Sequence, residues 1–197
     1  MVEHITDTDG VPGSNPGART KIDMDVNFNE ITIREPKITD LKQVLYYINK
    51  LSKEKTYITL QGEVIDEKSE RIWLKSAIRK IQDKKAVYLF AFNKKQLIGI
   101  SEVTMGTGCK EHVGRFGISI DKNFRGKGIG SVLMNTILNV SKKLSKIRLI
   151  CLEVFAENTI AIEMYKKKGF VVCGEIPKVL KRRGKYVNEI LMFKEVK

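Results

Sequence analysis

Histidine is nearly absent from this 197-residue sequence: His4 and His112 are the whole set. Cysteine is almost as scarce, and Cys109, Cys151 and Cys173 are odd in number with no Cys-x-x-Cys spacing among them. Zinc sites need clustered thiolates or imidazoles and disulfide frameworks need pairs, so neither class fits and no metal is expected. Cys151 and Cys173 lie in apolar stretches, where a free thiol packs as a small hydrophobe. No apolar run approaches the roughly 20 residues that span a bilayer, and no signal peptide opens the chain. A soluble, cytoplasmic protein with no membrane partner is expected.

Acidic residues are the minority charge, at 23 Asp and Glu against 36 Lys and Arg, for a net charge of +13. Strong positive charge fits an anionic ligand or an acidic partner. No aromatic-interleaved basic stripe or known nucleic-acid module accompanies it, so nucleic acid is not expected as a partner and a solvated basic surface is the default reading. Within residues 1–29, Asp9-Gly10-Val11-Pro12-Gly13-Ser14-Asn15-Pro16-Gly17 is turn-forming and nearly free of large apolar residues. Residues 1–29 read as a flexible leader, with Met24 as an alternative start. Residues 30–197 then suit a single domain.

What is present is organised around Arg125-Gly126-Lys127-Gly128-Ile129-Gly130-Ser131. Phe116-Gly117-Ile118-Ser119-Ile120 before it reads as a buried strand, within a longer strand over 112–120. Asp121-Lys122-Asn123 is the turn that leaves this strand. After the glycines, Val132, Leu133, Ile137, Val140 and Leu144 recur at helical spacing. Glycines at such a junction let backbone approach a ligand closely, and the unpaired N–H groups of the first helical turn favour an anion. A P-loop would need Ser or Thr after Lys127, where Gly128 stands. A dinucleotide fingerprint would need glycine at Ser131 and an acidic residue near Lys146 and Arg148. Both fail.

The remaining pattern, Arg-x-x-Gly-x-Gly at a strand-to-helix turn, resembles the signature of the GNAT superfamily of N-acetyltransferases. A second apolar strand over 149–154 is followed by Asn158-x-x-Ala161-x-x-x-Tyr165-x-x-x-Gly169-Phe170, which resembles the other half of that signature. The resemblance implies a mixed, mostly antiparallel seven-strand sheet flanked by helices, an α/β fold. It also implies an acetyl-CoA-dependent enzyme. Its closest stretch is Gly117 to Phe170.

In chain order, Ile31 and Ile33 form a first strand ended by Glu35-Pro36. Thr39 reads as the N-cap of a helix that buries Leu41, Val44, Leu45, Ile48 and Leu51. A second amphipathic helix over 68–82 uses Trp73, Leu74, Ala77, Ile78 and Ile81. By the resemblance these helices and the loop over 57–65 wall the acceptor site, where Tyr57, Gln61 and Glu63 either meet an acceptor or are solvated. Strands over 86–92 and 97–105 are joined by Asn93-Lys94-Lys95-Gln96. Strands over 170–180 and 185–193 flank Lys181-Arg182-Arg183-Gly184. Arg183-Gly184-Lys185-Tyr186-x-Asn188 resembles a subgroup acting on amino acids and other small amines, which usually carries Asp where Asn188 stands.

The resemblance assigns roles residue by residue. Ile118, Ser119 and Ile120 hold the pantetheine arm, and Arg125, Gly126, Lys127, Gly128, Ile129, Gly130 and Ser131 hold the pyrophosphate. Asn158 bonds the donor, caps its helix, or does both. Tyr165 is the general acid that protonates the departing thiolate. A free alkylamine has a pKa of roughly 10.4, so a base is needed at neutral pH. Glu153 matches the glutamate of ribosomal-protein alanine N-acetyltransferases, and Glu102 is the second candidate. His112 is either a base or a surface residue. The acceptor is a small-molecule amine or a protein amine, and the sequence leaves the oligomeric state open, a homodimer included.

Overall fold

The computed structural model describes residues 30–144 and 146–196. The leader expected over 1–29 lies outside them. The elements run β1 (Ile31–Arg34), α1 (Leu41–Glu54), α2 (Glu67–Gln82), β2 (Ala86–Asn93), β3 (Gln96–Met105), β4 (Val113–Ile120), α3 (Ile129–Ser141), β5 (Leu149–Phe155), α4 (Thr159–Lys167), β6 (Val171–Arg182) and β7 (Lys185–Glu195). They build a seven-stranded sheet in the order β1-β2-β3-β4-β5-β7-β6. Every described strand pair is antiparallel except β4–β5. This is the mixed, mostly antiparallel α/β fold expected.

Strand alternation divides the core between the two faces of the sheet. On β2, Val87, Leu89 and Ala91 face α3, joining Leu133, Met134 and Ile137. Phe90 and Phe92 point the other way, onto α1 and α2, where Leu41, Val44, Leu51 and Leu74 meet them. Each such fully buried side chain contributes about 1.5–3 kcal/mol from removal of apolar surface. β2 and β3 thus form a core covered on both sides.

Three expectations are corrected. Thr39 is not the helix cap. It lies inside a short 3-10 turn, Ile38–Asp40, and Asp40 precedes α1. The Asp40 carboxylate accepts from the Lys37 amide at 2.7 Å and from Arg34 at 2.7 and 2.8 Å, so a partly buried ion pair organises this turn. Leu45 is only half-buried, and Tyr47 takes the fully buried position on α1. Cys173 is exposed on the edge strand β6, its thiol donating to the Leu191 carbonyl at 3.4 Å rather than packing in a core.

Candidate active site

β4 and β5 run parallel, but their ladder holds only from Val113↔Leu149 to Arg115↔Cys151. Past Arg115, β4 stays paired to β3 as far as Ile120, and β5 to β7 as far as Phe155. The sheet therefore splits, and the edge of β4 from Phe116 to Ile120 faces no strand. A cleft of about 640 Å³ occupies the split and extends to α2 and the α1–α2 loop. An open strand edge is a template for an extended, amide-bearing ligand. Ile118 and Ser119 line the cleft there, and Ser119 is anchored by its hydroxyl to that of Tyr47 at 2.9 Å.

Asp121 fixes the turn at the end of β4. It is buried, ion-paired with Lys50 of α1, and accepts from the Asn123 amide at 3.0 Å. The chain then enters the glycine run. Gly126 and Gly128 have φ of 74° and 81°, values that a side chain disfavours. Gly128 occupies the N-cap of α3 with no side-chain cap bond, which leaves the first-turn amides of Ile129, Gly130 and Ser131 without a helical acceptor. Nothing lies within 4 Å of the place where a Cβ on Gly126 would stand. Uncapped amides at the positive end of a helix, beside open space, fit a phosphate group.

Ser131 also lines a second depression, of about 520 Å³, between α3 and α4 with Thr159, Met164, Lys167 and Lys168. The β4 edge leads through the Asp121 turn into the cradle, and Ser131 at the end of the cradle borders this depression. Arg125 tethers the cradle from behind: its Nε donates to the Ile120 carbonyl at 2.8 Å and its Nη2 to Glu54 at 2.7 Å. The Ile120 carbonyl is thereby occupied. Lys127 is half-buried.

Across the split, α4 brings Asn158 and Tyr165 to the cleft. Asn158 caps α4, accepting from the Ala161 amide at 3.4 Å. Tyr165 is buried, with its ring edge-on to Phe116 at 6.0 Å and tilted against Phe170 at 6.1 Å. Burial pushes its hydroxyl up to about 12, so it remains a proton donor across the physiological range.

Four neighbouring strands place Glu102, Arg115, Glu153 and Glu189 on the cleft, on the α1–α2 side of the sheet. Glu153 is ion-paired with Arg115. Glu102 stands opposite Tyr88 on β2, and burial raises its carboxyl above the usual range, only partly opposed by Tyr88, Lys80 and Arg115. Burial also raises Glu189, and the nearby Glu153 charge adds to it.

Glu70 of α2 completes the acidic lining. It is buried, and burial alone raises its carboxyl. Sequence reasoning missed Glu70, Arg115 and Glu189. The first had a signal: Glu70 sits three and four residues before Trp73 and Leu74, on the apolar stripe of α2.

The remaining sequence candidates fall out differently. Tyr57 lines the cleft, whereas Gln61 and Glu63 bond within their own loop. His112 is exposed, before β4 begins, and does not line the cleft. Asn188 staples an irregularity in β6, accepting from the Lys178 amide at 2.9 Å and donating to Glu175 at 2.6 Å. In the basic turn Arg183 is exposed at the hairpin end, outside the cleft lining, whereas Arg182 folds back onto Tyr57 and Glu157.

This split sheet with a glycine cradle at its open edge is the architecture of acetyltransferases, and the sequence profile of the acetyltransferase (GNAT) family matches residues 46–170. The chain belongs to that family. It is 35% identical over 83 residues to the L-amino acid N-acetyltransferase AaaT of Escherichia coli strain K12, a stretch that covers 42% of this chain and 51% of that protein. Among solved structures, a GNAT-family acetyltransferase from Streptococcus pneumoniae superposes with a TM-score of 0.78 at 24% identity, covering 85% of this chain and all of that one (100%). A phosphinothricin acetyltransferase from Sinorhizobium meliloti, solved with acetyl-CoA, gives 0.72 at 15% identity, covering 85% and 89%. No helix among the described residues is long and apolar enough to cross a membrane.

Proposed function

We propose that this protein transfers the acetyl group of acetyl-CoA to the primary amine of a small molecule within a ternary complex. The observation that carries the reading is the continuity of the open β4 edge with the uncapped N-terminus of α3, ending beside Tyr165 and the carboxylates. Acetyl-CoA would supply the activated thioester. The β4 edge would hold the pantetheine amides and Arg125 to Ser131 the pyrophosphate.

Glu102 is the better base. Burial raises its carboxyl and so favours proton uptake, whereas one oxygen of Glu153 is already engaged by Arg115. Glu153 then orients Arg115 and borders the acceptor. The amine, relieved of one proton through water to Glu102, forms the new C–N bond as the C–S bond breaks. Tyr165 gives its proton to the sulfur and regains one from the acetylated nitrogen.

A small acceptor is favoured over a protein by a clasp across the cleft. Tyr57 of the α1–α2 loop donates to the Glu157 carbonyl at 3.3 Å and packs on Phe155 at 5.7 Å. Arg182 of β6 lies 4.2 Å above the Tyr57 ring and pairs with Glu157 at 2.8 Å. The two walls are thus bridged, which narrows the entrance to a folded partner. Isotope-labelled acetyl-CoA incubated with the protein and a complete cell extract tests this reading, with Tyr165→Phe as control. Label in the small-molecule fraction, lost in the variant, is the expected result. Label in protein moves the acceptor to a protein amine.

A further inference from the structure

Within the acceptor cleft the charge balance of the whole chain is inverted. The sequence carries 36 basic and 23 acidic residues, yet among the described residues the cleft is lined by Glu70, Glu102, Glu153 and Glu189 against Arg115 as the one basic side chain. Arg115 is itself paired with Glu153. A carboxylate-bearing acceptor would find no unengaged cation among the described lining residues, and would meet a negative field that the low-dielectric walls strengthen.

Glu70 adds an observation independent of that count. It is 5% exposed, lies on the core-facing stripe of α2, and lines the cleft. Among the described residues no ion pair or side-chain hydrogen bond engages its carboxylate, although an uncompensated buried carboxylate is costly. Opening onto the cleft with no protein partner among the described residues, this carboxylate is placed to receive a cation that enters there. Trp73, one turn along the same helix, also lines it and packs edge-on against Tyr88 at 5.9 Å, so an aromatic wall connects Glu70 toward Glu102. An alkylammonium is held well by carboxylate and aromatic ring together.

We propose that the acceptor is a linear di- or polyamine without a carboxylate: one amine is acetylated beside Glu102, and a second, still charged, is bound by Glu70 with help from Trp73. The proposal rests on the acetyl-transfer reading above and specifies its substrate class. Glu70 is then a specificity residue, and the open length of the cleft toward α2 accommodates the methylene chain between the two nitrogens.

The test is steady-state release of thiol from acetyl-CoA by the full chain, with spermidine, 1-aminobutane, leucine and a lysine-bearing peptide as acceptors. The wild type is compared with Glu70→Gln and Trp73→Leu. Spermidine should give the highest kcat/KM. Glu70→Gln should raise the KM for spermidine by roughly tenfold or more with a smaller change in kcat, and should collapse the preference for spermidine over 1-aminobutane. The same variant should melt at a higher temperature than the unliganded wild type, which a purely structural Glu70 would not do. Preference for leucine or the peptide, or a Glu70→Gln enzyme with unchanged spermidine KM, overturns the proposal.

If no amine is acetylated, the acetyl-transfer reading fails. The polyamine site is then judged by calorimetry of spermidine binding to the protein with coenzyme A. Binding weakened in Glu70→Gln supports the site, and absent or unaltered binding overturns it. Should Glu70→Gln not fold, Trp73→Leu, which removes the aromatic side of the same proposed site, carries the same comparison.

Discussion

Arg115, on the last rung of the parallel ladder opposite Cys151, is ion-paired with Glu153 two residues further along β5, where β4 and β5 begin to separate. The pair sits at the apex of the split and fixes Glu153 toward a cation. Glu102, on the next strand, is left as the carboxylate whose burial favours proton uptake.

Glu102→Gln is therefore expected to lower kcat/KM by roughly 10²-fold or more, the scale of general base catalysis, while Glu153→Gln costs less. The wild-type profile of kcat/KM should show an acidic limb above the ordinary glutamate value of about 4.3, because burial raises Glu102. The limb should vanish in Glu102→Gln. A larger loss in Glu153→Gln would reverse the assignment.

Tyr165→Phe removes a hydroxyl and keeps the ring that packs on Phe116 and Phe170. Turnover should fall roughly 10²-fold or more, while coenzyme A still binds and the melting temperature hardly moves. With its hydroxyl raised to about 12 by burial, Tyr165 should contribute no basic limb below about pH 10. Unchanged turnover would remove Tyr165 from the mechanism.

The local parts of this site were legible because each is written in consecutive residues. The glycine run stands at the strand-to-helix junction that periodicity marked, and the segment read by resemblance places Asn158 as the cap of α4 and Tyr165 on that helix, with Gly169 at positive φ just after it. The cleft's electrostatics were not legible, because Glu70, Glu102, Arg115, Glu153 and Glu189 come from five elements and meet only once the sheet is ordered. Glu153 looked isolated in sequence because its partner lies on a strand 38 positions earlier. Thr39 was misjudged for a similar reason: the local cap preference was overridden when Arg34 on β1 claimed Asp40.

The cradle can be separated from simple turn chemistry by pairing two glycines. Gly126 and Gly184 have φ of 74° and 80°, and neither has any atom within 4 Å of an added Cβ. Alanine at either should cost about 1–2 kcal/mol of stability, since the left-handed backbone alone is penalised. Only Gly126→Ala should also weaken coenzyme A binding, by roughly tenfold, because its methyl would enter the space assigned to the pyrophosphate. Equal coenzyme A affinity in the two variants, measured by calorimetry, would detach the glycine run from donor binding.

Arg34 and Asp40 bind each other through two hydrogen bonds, with side chains 31% and 5% exposed, and the Arg34 guanidinium lies 4.2 Å above the Phe92 ring. Burial alone would raise Asp40, but Arg34 and the Lys37 amide outweigh it and leave the carboxyl below its usual value. Asp40→Ala should cost about 2–3 kcal/mol, discounted from a fully buried pair because Arg34 can still reach water. For a domain of this size that lowers Tm by about 5–10 °C. A depressed carboxylate stabilises the fold above its unfolded value, near about 3.9, and the contribution is lost as pH falls through the lower folded value. The gap in Tm between wild type and Asp40→Asn should therefore be full at neutral pH and close in acid. A gap that persists unchanged in acid would show that Asp40 acts through the geometry of the turn and not through its charge.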